Sequence, residues 1–264
     1  MTIEEPLAGF VSTVVRVGDE VRREARPTSP AVHLLLAHLE RTGFDGAPRF
    51  LGIDERGRER LSFTVGETFP GATPKTVPDR ALPAVGRLVR RYHEAVAGFT
   101  LPPGLSWLAE AEPDVPGEHV VCHNDIAPRN TVFRDGVPRI LIDWDLAYPA
   151  PAVWDVAHMV WQFAPILADS HFLPEGWPHV PTFDERMRRV RLLIDAYGLD
   201  AAQRAVFADV LAMRIGRTAS GIRAEAAAGK PVFRKLVDDG VVDQIEHDQA
   251  WAAAHRDVIA AAIS

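Results

Sequence analysis

Two short stretches constrain this chain more than any others: Val120-Val121-Cys122-His123-Asn124-Asp125-Ile126-Ala127-Pro128-Arg129-Asn130-Thr131-Val132-Phe133 and, just after it, Ile140-Leu141-Ile142-Asp143-Trp144-Asp145. The pattern is apolar run, polar loop, apolar run, turn, apolar run, acid. The runs are short and rich in Val and Ile, which predicts buried strands. Asp135-Gly136 tolerates positive φ and predicts a hairpin that folds the third run beside the second. Asp143 then ends a strand close to Asn130, with Asp125 near by. Clustered carboxylates repel one another without a cation, which points to a metal.

One chemistry suits that arrangement. Mg2+ takes hard oxygen ligands and leaves positions for phosphate oxygens. Phosphoryl transfer needs metal, alignment and an acid that orients the attacking hydroxyl. Asp125 suits the base, and Asn130 with Asp143 suits the metal. The five-residue step from Asp125 to Asn130 is that of a kinase catalytic loop. Asp145 reads as a second metal neighbour or an exposed loop acid. Arg129 reads as a phosphate contact, a neutraliser of the acids or a solvated side chain. His123 and Cys122 read as packing residues.

His-x-Asp-x-x-x-x-Asn at 123–130, followed by Ile-Asp-Trp at 142–144, resembles the aminoglycoside phosphotransferase and choline kinase branch of the protein-kinase-like fold. The stretch from Pro151 to Ala157 resembles the family's Pro-x-x-Asp-Leu-Ala helix start, with one extra residue before Asp155. The resemblance implies an α+β, bilobal fold, with a small antiparallel sheet and a helix packed over a mainly helical lobe. It implies Mg2+-dependent transfer of phosphate from ATP or GTP to a small-molecule hydroxyl. It also makes Asp155 a structural acid holding the catalytic loop, and places adenine against backbone near Thr64 and Val65.

Taken in order, residues 7–24 predict a small antiparallel sheet, with 9–13 as a strand-to-strand turn that the resemblance places over the phosphates. The family's phosphate-binding Lys is absent; Arg22 and Arg23 are the candidates. Arg23 is preferred because it shares a strand face with Val21. Ser29-Pro30 predicts a helix start, with Ser29 as N-cap. That helix offers Val32 and His33 where the family carries a Glu, and its Glu40 comes later. His33 is read as a surface helix residue. Residues 48–54 and 60–65 predict the last two strands of the sheet.

Residues 1–66 therefore form an N-terminal nucleotide-binding lobe, 67–77 a linker and 78–264 a helical lobe carrying the catalytic loop. The stripe Leu82, Val85, Leu88, Val89, Tyr92 and Val96 predicts the first long helix, and His93 is read as packing inside it. Residues 101–117 and 164–182 are read as loops. Helices are predicted over 151–163, 184–197 and 201–228, and a last one near 240–263.

Composition narrows the partners. The net charge of −7 argues against nucleic acid or an anionic membrane. No apolar run approaches the ~20 residues that span a bilayer. One cysteine precludes an internal disulfide, and the N-terminus lacks the basic start of a signal peptide, so a cytoplasmic enzyme is expected. Asp145, Asp169, Glu175 and Asp184 would favour a cationic acceptor if they line the cleft. The rival reading is a nucleotide-binding pseudokinase, motivated by the missing Lys and Glu and opposed by the intact Asp125, Asn130 and Asp143.

Overall fold

The computed structural model describes residues 4–7, 14–69, 77–108, 115–168 and 181–264. Five strands open the chain: β1 (Glu5–Leu7), β2 (Val14–Val17), β3 (Glu20–Glu24), β4 (Phe50–Ile53) and β5 (Arg58–Ser62). They form one antiparallel sheet in the order β1-β2-β3-β5-β4. β5 starts earlier than the sequence pattern suggests, and this brings Glu59 into the sheet opposite Arg23. The expected turn at 9–13 lies outside the described residues.

Helix α1 (Ser29–Arg41) crosses over between β3 and β4. Its N-cap is Thr28 rather than Ser29; the Ser29 hydroxyl accepts instead from the Arg26 amide at 2.9 Å. Leu35, Leu36 and Leu39 are buried on its inner face. Each such side chain contributes on the order of 2 kcal/mol by leaving water.

After β5 the chain runs along the catalytic half of the molecule, where Glu67 and Phe133 exchange backbone hydrogen bonds at 2.8 Å. Gly66 is required here. A Cβ at this position would stand 2.5 Å from the Phe133 carbonyl oxygen. The remainder of the expected linker, 70–76, lies outside the described residues.

The second part is mainly helical. Helix α2 (Leu82–Val96) buries the predicted stripe and leads to β6 (His119–Cys122), β7 (Thr131–Arg134), β8 (Val137–Leu141) and β9 (Tyr148–Pro151). β7 and β8 form the predicted hairpin, with Asp135 and Gly136 at φ 54° and 71°. β6 pairs with β9, a strand the sequence pattern does not reveal. Helices α3 (Ala152–Phe163), α4 (Phe183–Tyr197) and α5 (Ala201–Ala227) follow, then α6 (Pro231–Asp238), α7 (Val241–Ala254) and α8 (Arg256–Ala262).

Capping boxes at Thr182/Glu185 and Asp200/Gln203 set the starts of α4 and α5. The expected last helix is two helices, broken at His255. Parts of two expected loops, 109–114 and 169–180, lie outside the described residues, and Asp169 and Glu175 with them. Among the described residues no helix is long and apolar enough to cross a membrane.

Candidate active site

The loop between β6 and β7 is fixed from below. Asp155, in the first turn of α3, is fully buried. Its Oδ2 accepts the His123 amide at 2.7 Å, and its Oδ1 accepts the Asn124 amide at 2.9 Å. His93 donates to Oδ2 at 3.1 Å through Nε2 and meets the Tyr197 hydroxyl at 2.8 Å through Nδ1. Burial opposes the charge on Asp155, but the His93 hydrogen bond, the positive potential of His93 and His123 and the His123 amide together outweigh it and hold the carboxyl below its ordinary range.

Asn124 takes the left-handed conformation at φ 63°, which Asn tolerates better than most residues. Its side-chain amide donates to the carbonyls of Cys122 and Tyr148, both at 3.2 Å. Its own carbonyl accepts from Arg214 on α5 at 2.6 Å.

Asp125, Asn130 and Asp143 are brought together. Asn130 Nδ2 donates to the Asp125 carboxylate at 2.7 Å and to its backbone carbonyl at 2.9 Å. The Asn130 carbonyl accepts the Ile142 amide at 2.9 Å, and the Ile142 carbonyl accepts His123 Nε2 at 3.1 Å. Asp143 follows directly, itself left-handed at φ 65° and ψ 67°, with half its side chain open to solvent. His123 is wholly buried and packs against Trp144, as its sequence reading expects.

The charges on these acids are tuned in opposite directions. Burial opposes ionisation of Asp125, but the Arg129 guanidinium leads the groups that hold its carboxyl well below the usual range. Arg129 meets Asp125 Oδ1 directly, and its Nη1 reaches Gln162 at 3.3 Å. Half-open as it is, the Asp143 carboxyl is pushed up, first by the loss of water on its inner side and then by the neighbouring charge of Asp145, with Arg23 opposing.

His158, which sequence reasoning missed, lies buried on α3 with Nε2 3.2 Å from Asp125 Oδ1. That contact is too poorly aligned for a hydrogen bond. Its burial and the nearby Arg214 lower its pKa to about 4, so the ring is neutral at pH 7.

Arg23 reaches this site from the opposite wall. Its Nη1 lies 3.5 Å from Asp143 and its Nη2 2.5 Å from Asp145, while Nε is taken by Glu59. Arg22 points away, to Glu20 and Asp54. Asp145 is therefore not a free loop acid: Arg26 also pairs with it at 3.2 Å. The reading of His33 as a surface residue is corrected. The side chain is 13% exposed, stacks on Phe50 and donates to Glu59 at 2.6 Å.

Thr64 and Val65 lie on the segment leaving β5. Thr64 is half-buried and Val65 exposed, and the Val65 carbonyl already accepts from Arg134 at 3.1 Å. Asp184, one of the acids tied to a cationic acceptor, is exposed in the first turn of α4.

The donor set fits Mg2+. Of the two Asn130 side-chain polar atoms only the nitrogen can donate to a carboxylate, so Nδ2 faces Asp125 and Oδ1 is the ligand atom left over. With Asp143 it supplies two hard oxygens, beside acids whose mutual repulsion a divalent ion would relieve. A second cluster, His93 with Cys122 and Asp155, has its atoms within 4.8 Å of one another. It fits an ion poorly: Asp155 is occupied by three donors, and burial pushes the Cys122 thiol up, so it stays protonated.

Residues 100–193 match the model of the family described as "Phosphotransferase enzyme family". The chain is also 36% identical over 265 residues to the trifolitoxin immunity protein of Rhizobium leguminosarum bv. trifolii, covering 97% of each chain. The chain belongs to the phosphotransferase enzyme family.

The fold of this phosphotransferase is kinase-like. It is similar to a choline/ethanolamine kinase family protein from Mesorhizobium loti, with a TM-score of 0.67, 16% identity, and 99% of this chain and 92% of that chain covered. It is similar to the amicoumacin kinase hAmiN in complex with AMP-PNP, Ca2+ and Ami, with a TM-score of 0.65, 13% identity and coverage of 98% and 88%. A third likeness is to the gentamicin complex of APH(2'')-IIa, with a TM-score of 0.56, 10% identity and 93% of each chain covered. The motif-bearing stretch of this phosphotransferase, from His123 to Asp155, falls inside the matched region.

Proposed function

We propose that this phosphotransferase moves the terminal phosphoryl group of ATP or GTP to a hydroxyl of a small molecule. The observation that carries the reading is the hydrogen-bonded unit of Asp125, Asn130 and the Ile142-Asp143 strand end, with Arg23 facing it across the cleft. In this reading residues 1–66 and 78–264 form the two walls of the nucleotide cleft, joined by 67–77. The adenine lies along the backbone of Thr64 and Val65, on the segment leaving β5. Asn130 Oδ1 and the Asp143 carboxylate hold Mg2+, which neutralises and aligns the phosphate oxygens when bound.

Asp125 accepts a hydrogen bond from the acceptor hydroxyl. A carboxylate held well below its usual pKa is a weak base, so its first task is orientation. The hydroxyl oxygen forms its bond to the terminal phosphorus as the bond to the bridging oxygen breaks. The hydroxyl then becomes acidic, its proton passes to Asp125, and the nucleoside diphosphate leaves. Supply of nucleotide places the reaction in the cytoplasm.

The test is a panel of hydroxyl acceptors with Mg-ATP and Mg-GTP, read as nucleoside diphosphate release. The relative's name puts trifolitoxin in that panel, beside aminoglycosides and amino alcohols. Release with at least one acceptor is the expected result. Tight nucleotide binding without release across the panel would replace this reading with a nucleotide-binding pseudokinase.

A further inference from the structure

Helix α1 has no acid before Glu40, and Glu40 is exposed and faces Arg49 at 3.8 Å. The cation on β3 nevertheless has a carboxylate partner, supplied from the next strand. Arg23 and Glu59 are direct cross-strand neighbours in the β3–β5 register, so their side chains share one face of the sheet. Glu59 is 1% exposed. A carboxylate buried that deeply costs several kcal/mol unless both oxygens are satisfied. Here both are: Oε1 accepts from Arg23 Nε, and Oε2 accepts from His33 Nε2 at 2.6 Å. The His33 ring is clamped flat against Phe50, with centroids 3.7 Å apart and planes 12° apart.

We infer that Glu59 and His33 are positioning residues for nucleotide binding, together replacing the acid that α1 lacks. This rests on the nucleotide reading above. Glu59 holds the Nε edge of Arg23, and that fixes which edge of the guanidinium faces the cleft. Both Nη groups then point at Asp143 and Asp145, the side from which phosphates arrive. In the nucleotide-bound state Nε stays on Glu59 and the Nη groups turn to phosphate oxygens. His33 carries the coupling into α1, so the helix and the phosphate-binding cation move as one body.

The geometry also accounts for arginine at position 23. A lysine ammonium is a single point and cannot hold Glu59 with one face while presenting a two-donor edge to the cleft.

The experiment measures Mg-ATP and Mg-GTP dissociation constants by calorimetry, together with Tm, for the full chain and its variants. Glu59→Gln removes the charge but keeps the shape, and weakens nucleotide binding by about tenfold or more. His33→Glu combined with Glu59→Gln returns a carboxylate to the same spot from α1, and recovers most of the lost affinity. Arg23→Lys binds more weakly than wild type and gains nothing from Glu59.

Wild-type affinity in Glu59→Gln overturns the inference, and so does an affinity loss that tracks Tm alone and is not recovered by the double variant. Failure of the wild-type protein to bind either nucleotide overturns the nucleotide reading and this inference with it. Binding by wild type with no change in the variants overturns this inference alone.

Discussion

Asn130 holds Asp125 at two points with one nitrogen, donating to its carboxylate at 2.7 Å and to its backbone carbonyl at 2.9 Å. The same side chain therefore sets the Asp125 rotamer and keeps its own oxygen out of that contact, where the proposed reading has it meet the metal. Asn130→Asp would turn a donor into a second carboxylate against Asp125. Repulsion would raise the pKa of one of the two acids and break the grip. The expected outcome is a fall in turnover of about 100-fold or more, the scale of losing a positioned acid–base group. Asp125→Ala gives a comparable loss while Mg-nucleotide affinity holds. Steady-state kinetics and calorimetry on the two variants check both halves. Unchanged turnover in Asp125→Ala would remove that residue from the mechanism.

Asp155 acts at one remove. Its three bonds, to the His123 and Asn124 amides and to His93, each use a lone pair that a neutral amide cannot fully replace. In Asp155→Asn one oxygen becomes an NH2 that faces a donor. A buried polar group left unsatisfied costs about 1–3 kcal/mol. For a chain of this size that lowers Tm by roughly 2–4 °C per kcal/mol. Turnover falls with it, because the backbone of the loop carrying Asp125 is what Asp155 holds. Thermal unfolding and kinetics on one preparation test the pairing, and a Tm equal to wild type would refute it.

His158 makes a prediction in pH. Its pKa in the fold is lowered to about 4 from 6.5. The unfolded chain therefore takes up this proton near pH 6.5, while the folded chain resists until about pH 4. Between those values the unfolded state binds more protons, so stability falls as the solution is acidified. The loss on crossing the window is on the order of 3 kcal/mol. The pKa of the Asp125 carboxyl is lowered too, but in an acid that favours the charged form. Its stabilisation persists above the ordinary carboxylate pKa and fades only below it, so it does not blur this window. Urea unfolding between pH 6.5 and 4 should show the slope in wild type and a flatter line in His158→Gln. Parallel lines would mean that the ring titrates normally.

The catalytic loop was legible because its determinants are local. Asp135-Gly136 makes the hairpin, and a single hairpin is enough to carry Asp143 beside Asn130. Strand β9 was hidden because Pro149 and Pro151 argue against a strand. They are tolerated because β9 pairs on one side only, with β6. Glu59 was hidden for another reason. It sits between Arg58 and Arg60, where charge suggests a turn, and only its two-residue step to the inward Leu61 hints at a buried face. His33 gives no hint at all until the fold brings α1 against β5. The break at His255 between α7 and α8 has neither Gly nor Pro to announce it. His158 lies three residues after Asp155 on an apolar helix, a position any packed residue could fill.

Gly86 tests how the helical part supports this site. It lies mid-helix in α2, where glycine costs about 1 kcal/mol relative to alanine. That cost is offset by close approach. A Cβ here would meet the Leu193 carbonyl oxygen at 2.6 Å and the Tyr197 amide nitrogen at 3.0 Å, both backbone atoms of α4. Backbone cannot swing aside as a side-chain tip can, so Gly86→Ala must push α2 and α4 apart. The His93–Tyr197 bond at 2.8 Å spans the same two helices and leads to Asp155. Overpacking of this kind costs roughly 1–3 kcal/mol, despite alanine's better helix propensity. The expected result is a lower Tm and a lower turnover, with Mg-nucleotide affinity little changed, since Arg23 and Glu59 lie on the sheet. A Tm at or above wild type would mean that the two helices are not in contact at Gly86.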